Sequence, residues 1–187
     1  MTHPAFEALK PKLDDAVAGQ DVRAIANKVK DALQDALKCN GLDLPPAMVA
    51  ARQDSYARRL LHRDPGDRYT VVVMTWGPGQ RTALHDHAGI WCVECVVDGE
   101  MEVAQYDLVS TEGEAFRFTR QNTVTASRGS AGCLIPPFEY HTLANARDDR
   151  ASVTLHVYGG EMDHCHAFEP AGDGSYRRVR RDLSYHG

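Results

Sequence analysis

Residues 76–99 read WGPGQRTALHDHAGIWCVECVVDG, and this stretch decides the fold. His85 and His87 stand two positions apart, and the period of two in a β-strand points two such side chains to the same face. Gly79 lies six residues before His85, and Gly99 lies twelve after His87. Because two imidazoles on one face form a chelate, the stretch predicts a metal site framed by glycine turns.

The sequence after residue 66 is typical of short strands, because β-branched and aromatic runs alternate with glycine and proline. We expect strands over five segments: Tyr69 to Trp76, Glu100 to Leu108, Ala115 to Phe118, Gly132 to Ile135 and Ala151 to Tyr158. Asp98-Gly99, between two apolar stretches, predicts a hairpin. Many short strands in succession favour a mainly β fold, either a sandwich or a barrel.

The chain before these strands has helical spacing from Pro4 to His62. One apolar stripe comprises Val22, Ile25, Val29, Leu33, Ala36 and Leu37. Asn40-Gly41 is predicted to end this helix, and Pro45-Pro46 to open a second, short one. The second helix would carry Met48, Val49, Tyr56, Leu60 and Leu61. We therefore expect a single domain over 1–187, with a helical segment (1–66) packed on a β-barrel (67–187).

Composition limits the classes of partner. The chain has 187 residues, a net charge of −5, and 43% hydrophobic residues, so it has no broad basic surface for nucleic acid or anionic lipid. Its first thirty residues lack the apolar run of a signal peptide or anchor, and its five cysteines are an odd number. We expect a cytoplasmic protein with reduced thiols that binds a small molecule and needs no nucleic acid, membrane or obligatory protein partner.

Two segments resemble the cupin motifs G-x5-H-x-H-x3,4-E-x6-G and P-x-G-x2-H-x3-N. The first is residues 79–99, and the second is residues 136–145, which read PPFEYHTLAN. The resemblance implies a cupin, jelly-roll-like β-barrel whose metal is held by His85, His87 and His141. Phe138 stands where the second motif has glycine, and Cys92 stands where the first has its metal-binding glutamate. The site is therefore predicted to lose its carboxylate.

Three neutral imidazoles leave the charge of a divalent metal uncompensated and leave coordination positions open. Such a centre favours an anionic ligand. A substrate thiolate is the natural candidate, because a metal deprotonates a thiol that is otherwise mostly protonated at neutral pH. Three histidines also suit catalytic zinc, so the residues alone leave the metal open.

Further matches resemble the cysteine dioxygenase family. Cys92 stands five residues after His87, residues 154–158 (TLHVY) resemble the family's [ST]-x-H-x-Y strand, and Tyr56-Ala57-Arg58 resembles its Y-x-R segment. The resemblance implies Fe(2+), and it assigns catalytic roles to Tyr158, His156, Cys92 and Thr154 and substrate binding to Arg58. It also suggests a covalent thioether link between Cys92 and Tyr158.

The residue types fit that chemistry. Thr154, His156 and Tyr158 fall at i, i+2 and i+4 of one strand, so a hydroxyl, an imidazole and a phenol share a face and are predicted to form a hydrogen-bonded relay. Arg58 offers a permanently charged planar fork for a carboxylate. The alternative is that Arg58 faces water on an amphipathic helix, in which case Arg59 is the next candidate.

Three local features refine the prediction. His164-Cys165-His166 is not expected to bind a second metal, although Cys165 matches a cysteine near the pocket mouth of relatives. Gly159-Gly160 replaces the Ser-Pro-Pro of animal relatives, which predicts a different pocket wall. Mercaptopropionate dioxygenases have glutamine at the position of Arg58 and an arginine at the position of Ala167, so this chain leans toward cysteine.

The sequence thus predicts an iron(II)-dependent thiol dioxygenase that converts L-cysteine and O2 to cysteine sulfinic acid. The nearest alternative is the same reaction on 3-mercaptopropionate or mercaptosuccinate. A non-catalytic metal-binding cupin that binds or senses thiols, and a zinc or manganese cupin isomerase, also remain open.

Overall fold

The computed structural model describes residues 4–39 and 42–187. Four helices come first: α1 (Pro4–Glu7), α2 (Lys10–Ala16), α3 (Val22–Cys39) and α4 (Pro46–Val49). The described strands are β1 (Ala57–Arg63), β2 (Thr70–Trp76), β3 (Leu84–His85), β4 (Cys92–Asp98), β5 (Glu100–Glu112), β6 (Ala115–Ser127), β7 (Ala131–Leu134), β8 (His141–Asn145), β9 (Ser152–Tyr158), β10 (His164–Pro170) and β11 (Tyr176–Asp182). The mainly β fold with an N-terminal helical segment is confirmed.

One sheet has the strand order β1-β2-β9-β4-β7 and is covered on both faces. Two of its three inner strands, β2 and β9, are buried at every position, as their nearly continuous apolar sequences require. Val73 and Leu155 pack in one cluster with Val29 of α3, whereas Val72 and Met74 belong to a second cluster inside the barrel. Alternate residues of the same strands therefore serve two different cores.

The other sheet closes on itself in the order β10-β11-β6-β5-β8-β3. Its strands bring the two predicted metal-binding segments together, because His85 of β3 pairs directly with His141 of β8. Ala167 of β10 pairs with His85 from the other side. The barrel thus joins segments that lie more than fifty residues apart in the sequence.

The predicted stripe of α3 is confirmed over most of its length. Ile25, Val29, Leu33 and Leu37 are buried, but Val22 at the first turn is 40% exposed. The predicted helix end at Asn40-Gly41 lies outside the described residues. None of the described helices is both long enough and apolar enough to cross a membrane.

The prediction of a second helix through Leu61 is wrong beyond its first turn. Only α4 is helical, and Leu60 lies on β1 opposite Val72 of β2. Arginine and leucine are good helix formers, but pairing with β2 satisfies the backbone of β1 and buries its side chains, which outweighs local propensity. Arg58 is consequently a strand residue and is buried rather than solvated.

The predicted hairpin at Asp98-Gly99 is also wrong. β4 pairs with β7 and β9, whereas β5 pairs with β6 and β8, so the turn connects the two sheets instead of two paired strands. Gly99 has φ of 77°, and a Cβ there would lie 2.3 Å from Oγ of Ser152. Glycine is required at this corner because both the backbone conformation and the space exclude a side chain.

Candidate metal centre

Three imidazoles converge at one end of the barrel interior. The ring centroids of His85, His87 and His141 lie 4.5 to 5.3 Å apart, and one ligand nitrogen from each lies within 4.8 Å of the others. His85 is on β3 and His141 on β8, while His87 lies in the loop that follows β3. The structure therefore brings together all three residues that the cupin motifs select.

The outer nitrogens of two of these rings are already occupied. Nδ1 of His85 lies 3.1 Å from the carbonyl oxygen of Ala83, and Nδ1 of His87 lies 3.1 Å from Oε2 of Glu139. Glu139 also accepts a hydrogen bond from the backbone N–H of His87 at 2.9 Å. Contacts of this kind fix the ring orientation and leave Nε2 as the ligand atom. Sequence reasoning quoted Glu139 in the second motif but gave it no role.

The histidines fit a metal ion by two observations. Both ring nitrogens of His141 are buried without a hydrogen-bond partner among the described residues, a costly arrangement, and a bound metal would give one of the two a partner. Burial, followed by the neighbouring His141, lowers the pKa of His85 to about 4 and that of His87 well below its ordinary value. Neutral imidazoles are the form that ligates metals, so His85 and His87 are poised for one.

Cys92 and Tyr158 are direct cross-strand neighbours on β4 and β9, as predicted. The ligand atoms of Cys92, His87 and Glu94 all lie within 4.8 Å of one another, which places the thiol beside the metal centre. Burial raises the pKa of both the Cys92 thiol and the Tyr158 phenol well above their ordinary values. Cys95 completes a C-x-x-C spacing with Cys92, but residues three apart on a strand face opposite sides, and both thiols are free.

The predicted relay is present in its first part and ends differently. Nε1 of Trp76 donates to Oγ1 of Thr154 at 2.9 Å, and this oxygen lies 2.7 Å from Nε2 of His156. His156 and Tyr158 stack with ring centroids 5.9 Å apart, without a hydrogen bond between them in the described hydrogen-bond network. Nδ1 of His156 faces Oε1 of Glu94 at 3.3 Å instead. Among the described residues the chain of hydrogen bonds ends at His156, whose Nδ1 faces Glu94 and not Tyr158.

Glu94 is the site residue that sequence reasoning missed. It lies opposite His156 in the register of β4 and β9, and its Oε1 is 3.3 Å from Nε2 of His141. Although burial acts to raise it, the pKa of Glu94 is held well below its ordinary value by the imidazoles of His141 and His156. The loss of the cupin carboxylate at position 92 stays a prediction, and the structure places the carboxylate of Glu94 beside His141.

Arg58 lines the same cavity as His85 and His87. One guanidinium nitrogen donates to the carbonyl oxygen of Met162 at 3.0 Å, and another lies 3.5 Å from that of Ser184. The ring of Tyr185 stacks under the cation at 5.3 Å from its centroid. Since guanidinium has five N–H donors, these contacts hold the group in place and leave donors for a ligand.

The His164-Cys165-His166 triplet lies on β10, a strand that sequence reasoning missed. Cys165 is buried and lines the cavity, as the resemblance implied. His166 contacts Asp86 at 3.0 Å and His164 contacts Asp163 at 2.5 Å, and neither belongs to a metal-binding cluster in the part of the chain that the structure describes. Asp86 thereby ties β10 to the loop that carries His87.

The Gly159-Gly160 departure has a packing reason. A Cβ on Gly159 would lie 2.2 Å from Nε1 of Trp91, so the indole occupies the space of a side chain. The backbone N–H of Gly159 also donates to the carbonyl oxygen of Trp91 at 2.9 Å. The indole of Trp91, a member of the helix-side apolar cluster, therefore leaves no room for a side chain at position 159.

A sequence model described as cysteine dioxygenase type I matches residues 8–171. The chain belongs to this family. Cysteine dioxygenase type 1 of Rattus norvegicus is 25% identical over 117 residues, which cover 63% of this chain and 57% of the rat protein. The Bos taurus protein of the same name is 25% identical over 178 residues, which cover 87% of this chain and 82% of that protein.

Solved structures with a similar fold include a double-stranded β-helix protein of Klebsiella pneumoniae. It is 20% identical, has a TM-score of 0.47, and the match covers 62% of this chain and 87% of that chain. A Thermus thermophilus protein has the same TM-score at 17% identity, with 61% of this chain and 91% of that chain covered.

Proposed function

We propose that this protein is an iron(II)-dependent thiol dioxygenase that converts L-cysteine and O2 to cysteine sulfinic acid. The observation that carries the proposal is one cavity that contains the imidazoles of His85 and His87 together with the guanidinium of Arg58. Family membership supplies the reaction class. Iron supplies the means to bring a thiolate and dioxygen together, and oxidation to a sulfinic acid is two steps up the ladder of cysteine oxidation.

Arg58 gives the substrate its orientation in this proposal. Arg58 is 4% exposed and its guanidinium is tied to main-chain carbonyl oxygens, so it loses little freedom when a carboxylate binds. A charge-assisted bidentate contact fixes the angle of the substrate as well as its position. Holding sulfur at the metal end and the carboxylate at Arg58 is catalysis by proximity.

His156 and Tyr158 line this cavity, and we propose that they act on the reacting atoms with the support of their neighbours Thr154 and Cys92. In the protein without a link between them, burial raises the pKa of the Tyr158 phenol and of the Cys92 thiol, so both are hydrogen-bond donors at neutral pH. We also propose a thioether between Sγ of Cys92 and a ring carbon of Tyr158: the S–H and the ring C–H bonds break, the C–S bond forms, and O2 takes up the two hydrogens with their two electrons as hydrogen peroxide. Intact-mass and peptide analysis checks it, since the linked protein is lighter by two hydrogens.

The closest alternative is dioxygenation of a different small thiol carboxylate, 3-mercaptopropionate or mercaptosuccinate. The presence of Arg58 and of Ala167, which pairs with His85, favours cysteine. We further propose a cytoplasmic location, because Cys92, Cys95 and Cys165 are buried free thiols and suit a reducing compartment. Cell fractionation with an antibody to the protein tests the location.

One experiment tests the function. Purified protein is analysed for bound metals, loaded with Fe(II), and placed in an oxygen electrode with cysteine, 3-mercaptopropionate, mercaptosuccinate or cysteamine. We expect stoichiometric iron, oxygen uptake that is fastest with cysteine, and a product heavier than the thiol by two oxygen atoms. Full metal content without oxygen uptake for any thiol would favour the non-catalytic cupin.

A further inference from the structure

Residues 183–186 lie against the end of the cavity that contains Arg58. The backbone N–H of His186 donates to the carbonyl oxygen of Arg58 at 2.7 Å, and Nδ1 of His186 accepts from the backbone N–H of Arg58 at 3.0 Å. At the other end of the segment, the backbone N–H of Leu183 donates to the carbonyl oxygen of Asp163 at 2.7 Å, and Leu183 lines the cavity. The segment therefore follows the edge of β1 and forms part of the cavity wall.

Arg58 is a buried cation that forms no ion pair with a carboxylate of the described residues. Its guanidinium contacts the carbonyl oxygens of Met162 and Ser184 and the ring of Tyr185, which are all uncharged groups. Carbonyl oxygens and the face of a ring orient a cation but leave its charge uncompensated. Because a buried and unpaired charge is costly, this arrangement favours the binding of an anion beside Arg58.

The ring of Tyr185 is itself fixed by its surroundings. Its hydroxyl donates to Oε1 of Glu161 at 2.7 Å, and Oε2 of Glu161 forms an ion pair with Arg63 at 2.5 Å. The ring also packs against the apolar cluster inside the barrel. Burial, followed by the hydrogen bond to Glu161, raises the pKa of Tyr185 to about 12, so the phenol stays neutral at neutral pH. Tyr185 thus gives the guanidinium a fixed, uncharged surface.

We propose that Tyr185 is a positioning residue for Arg58, and that the segment 183–186 thereby makes the site select thiols that carry a carboxylate. The inference rests on the proposed function in taking a thiol carboxylate as the substrate. An arginine side chain has many rotamers, and a guanidinium that is already fixed loses less conformational entropy when a carboxylate binds. A carboxylate in the place of Tyr185 would also fix the guanidinium, but the substrate would then compete with it. The segment lies beyond residues 8–171, so family membership assigns it no role.

The alternative is that Tyr185 only packs against the barrel. A residue that only packs would affect the turnover of every thiol to the same extent when it is replaced. A residue that positions Arg58 would affect only the thiols whose carboxylate Arg58 binds. The comparison of cysteine with cysteamine, which lacks the carboxylate, therefore separates the two roles.

The test compares Tyr185→Leu with wild type in steady-state oxygen uptake. Leucine keeps an apolar contact with the barrel but removes the ring face from the cation. We expect kcat/KM for cysteine to fall by about three- to thirtyfold, mainly through KM, because the carboxylate is bound in the ground state and in the transition state alike. kcat/KM for cysteamine should change little. Tyr185→Phe, which keeps the ring, should restore most of the preference for cysteine over cysteamine, and an unchanged preference in Tyr185→Leu would overturn the positioning role.

Two controls accompany the test. Tyr106→Leu replaces a half-buried tyrosine of β5 outside the cavity and should keep the wild-type preference. In the Arg58→Ala background, Tyr185→Leu should have no further effect on cysteine turnover, because a positioning residue acts only through the residue that it positions. A full additional loss in the double variant would show that Tyr185 acts independently of Arg58, which contradicts the proposal.

A structural measurement does not depend on catalysis. Crystal structures of the metal-free proteins should show the guanidinium of Arg58 fixed at the carbonyl oxygen of Met162 in wild type, and displaced or in several conformations in Tyr185→Leu. A guanidinium in the same place in both structures overturns the positioning role, while oxygen uptake by wild type keeps the proposed function. Wild type without oxygen uptake for any thiol overturns the proposed function, and the two structures then decide on the role of Tyr185 alone.

Discussion

The two faces of strand β9 share one backbone but have different residue types and different surroundings. Thr154, His156 and Tyr158 face the barrel interior, where they meet the metal-binding cluster. Val153, Leu155 and Val157 face the opposite way and pack beneath the helices. All seven residues of the strand are buried. Burial therefore does not tell the residues of the site from the residues that only stabilise the fold. The face of the strand on which a residue lies does.

The neighbouring strand β4 repeats this division. Cys92 and Glu94 face the metal centre, while Val93 and Cys95 belong to the outer apolar cluster. The same backbone hydrogen bonds hold both sets of side chains. Substitutions at adjacent positions are consequently expected to have separate effects, on metal and substrate for one face and on unfolding for the other.

The largest effect is expected on the inner face. His141→Ala removes an imidazole that is fully buried between β5 and β3, so we expect the loss of stoichiometric iron and of thiol-dependent oxygen uptake. Metal analysis of the folded variant, with folding checked by circular dichroism, measures the first. His141→Gln provides a second variant of closer size.

His164→Ala is the control for this experiment. His164 lies on β10 and contacts Asp163 without joining the cluster, so the variant should keep its iron. Full metal content in both His141 variants would contradict the assignment of the site.

The outer face gives the second effect, on stability. Leu155 is fully buried between Val73 and Cys95 on the neighbouring strands. Leu155→Ala leaves a cavity, and we expect the free energy of unfolding to fall by about 2 to 5 kcal/mol. Urea denaturation of the metal-free protein measures the loss. Iron bound per folded molecule should stay at the wild-type value, and a parallel loss of iron would show that the two faces are coupled.

The same alternation shows which residues of the site could be predicted from the sequence. Spacing and motif predicted His85, His87 and His141, and the period of two placed Thr154, His156 and Tyr158 on one face. Glu94 followed from that rule as well, since it stands two residues after Cys92. It was missed because motif comparison assigned the carboxylate to position 92 alone.

Two other features could not be predicted from local sequence patterns: the strand conformation of β1 and the contact between Glu139 and His87. β1 has helix-forming residues, and its strand conformation comes from pairing with β2, which the spacing of its own leucines does not report. Glu139 reaches His87 because the loop before β8 folds back toward the end of β3, and a loop conformation leaves no periodic signal. Tertiary contact, and not propensity, determined both.

The third effect concerns substrate and tests Arg58. Arg58→Ala removes the cation that lines the cavity, and a charge-assisted bidentate contact is worth about 1.5 to 3 kcal/mol, so kcat/KM for cysteine should fall by about ten- to a few hundredfold. Cysteamine, which lacks the carboxylate, should be a poor substrate and nearly insensitive to the change. Steady-state oxygen uptake measures both.

Arg59→Ala is the matched control for Arg58. Arg59 is the buried neighbour on β1, but its guanidinium donates to the carbonyl oxygen of Met48 at 3.3 Å, on the opposite face. It should leave the preference for cysteine over cysteamine unchanged. A loss of that preference in Arg59→Ala but not in Arg58→Ala would assign the carboxylate to Arg59.

The smallest effect is expected at Asp64, a polar contact on the helix side of the sheet. Asp64 is buried at the end of β1 and accepts from Nε and a terminal nitrogen of Arg68, both at 2.8 Å. Arg68 also contacts Asp14 of α2 at 3.1 Å. The Arg68 guanidinium holds the pKa of Asp64 well below its ordinary value, against the opposing effect of burial. The folded state therefore favours the charged carboxylate.

The sign of the pH dependence follows from this shift. Because the folded-state pKa of Asp64 is below the unfolded value of about 3.9, its stabilisation is complete above that value and is lost as the pH falls through the folded-state pKa. Asp64→Asn should lower the free energy of unfolding by about 1 to 3 kcal/mol at pH 7, and by less at pH 3. Urea denaturation of the metal-free proteins at both pH values measures this difference.

Asp67→Asn is the control for this prediction. Asp67 lies at an exposed turn position with φ of 54° that asparagine tolerates, so the variant should change the free energy of unfolding by no more than about 0.5 kcal/mol. An Asp64→Asn effect of equal size at pH 7 and pH 3 would mean that the neutral hydrogen bonds, and not the charge, stabilise this side of the sheet.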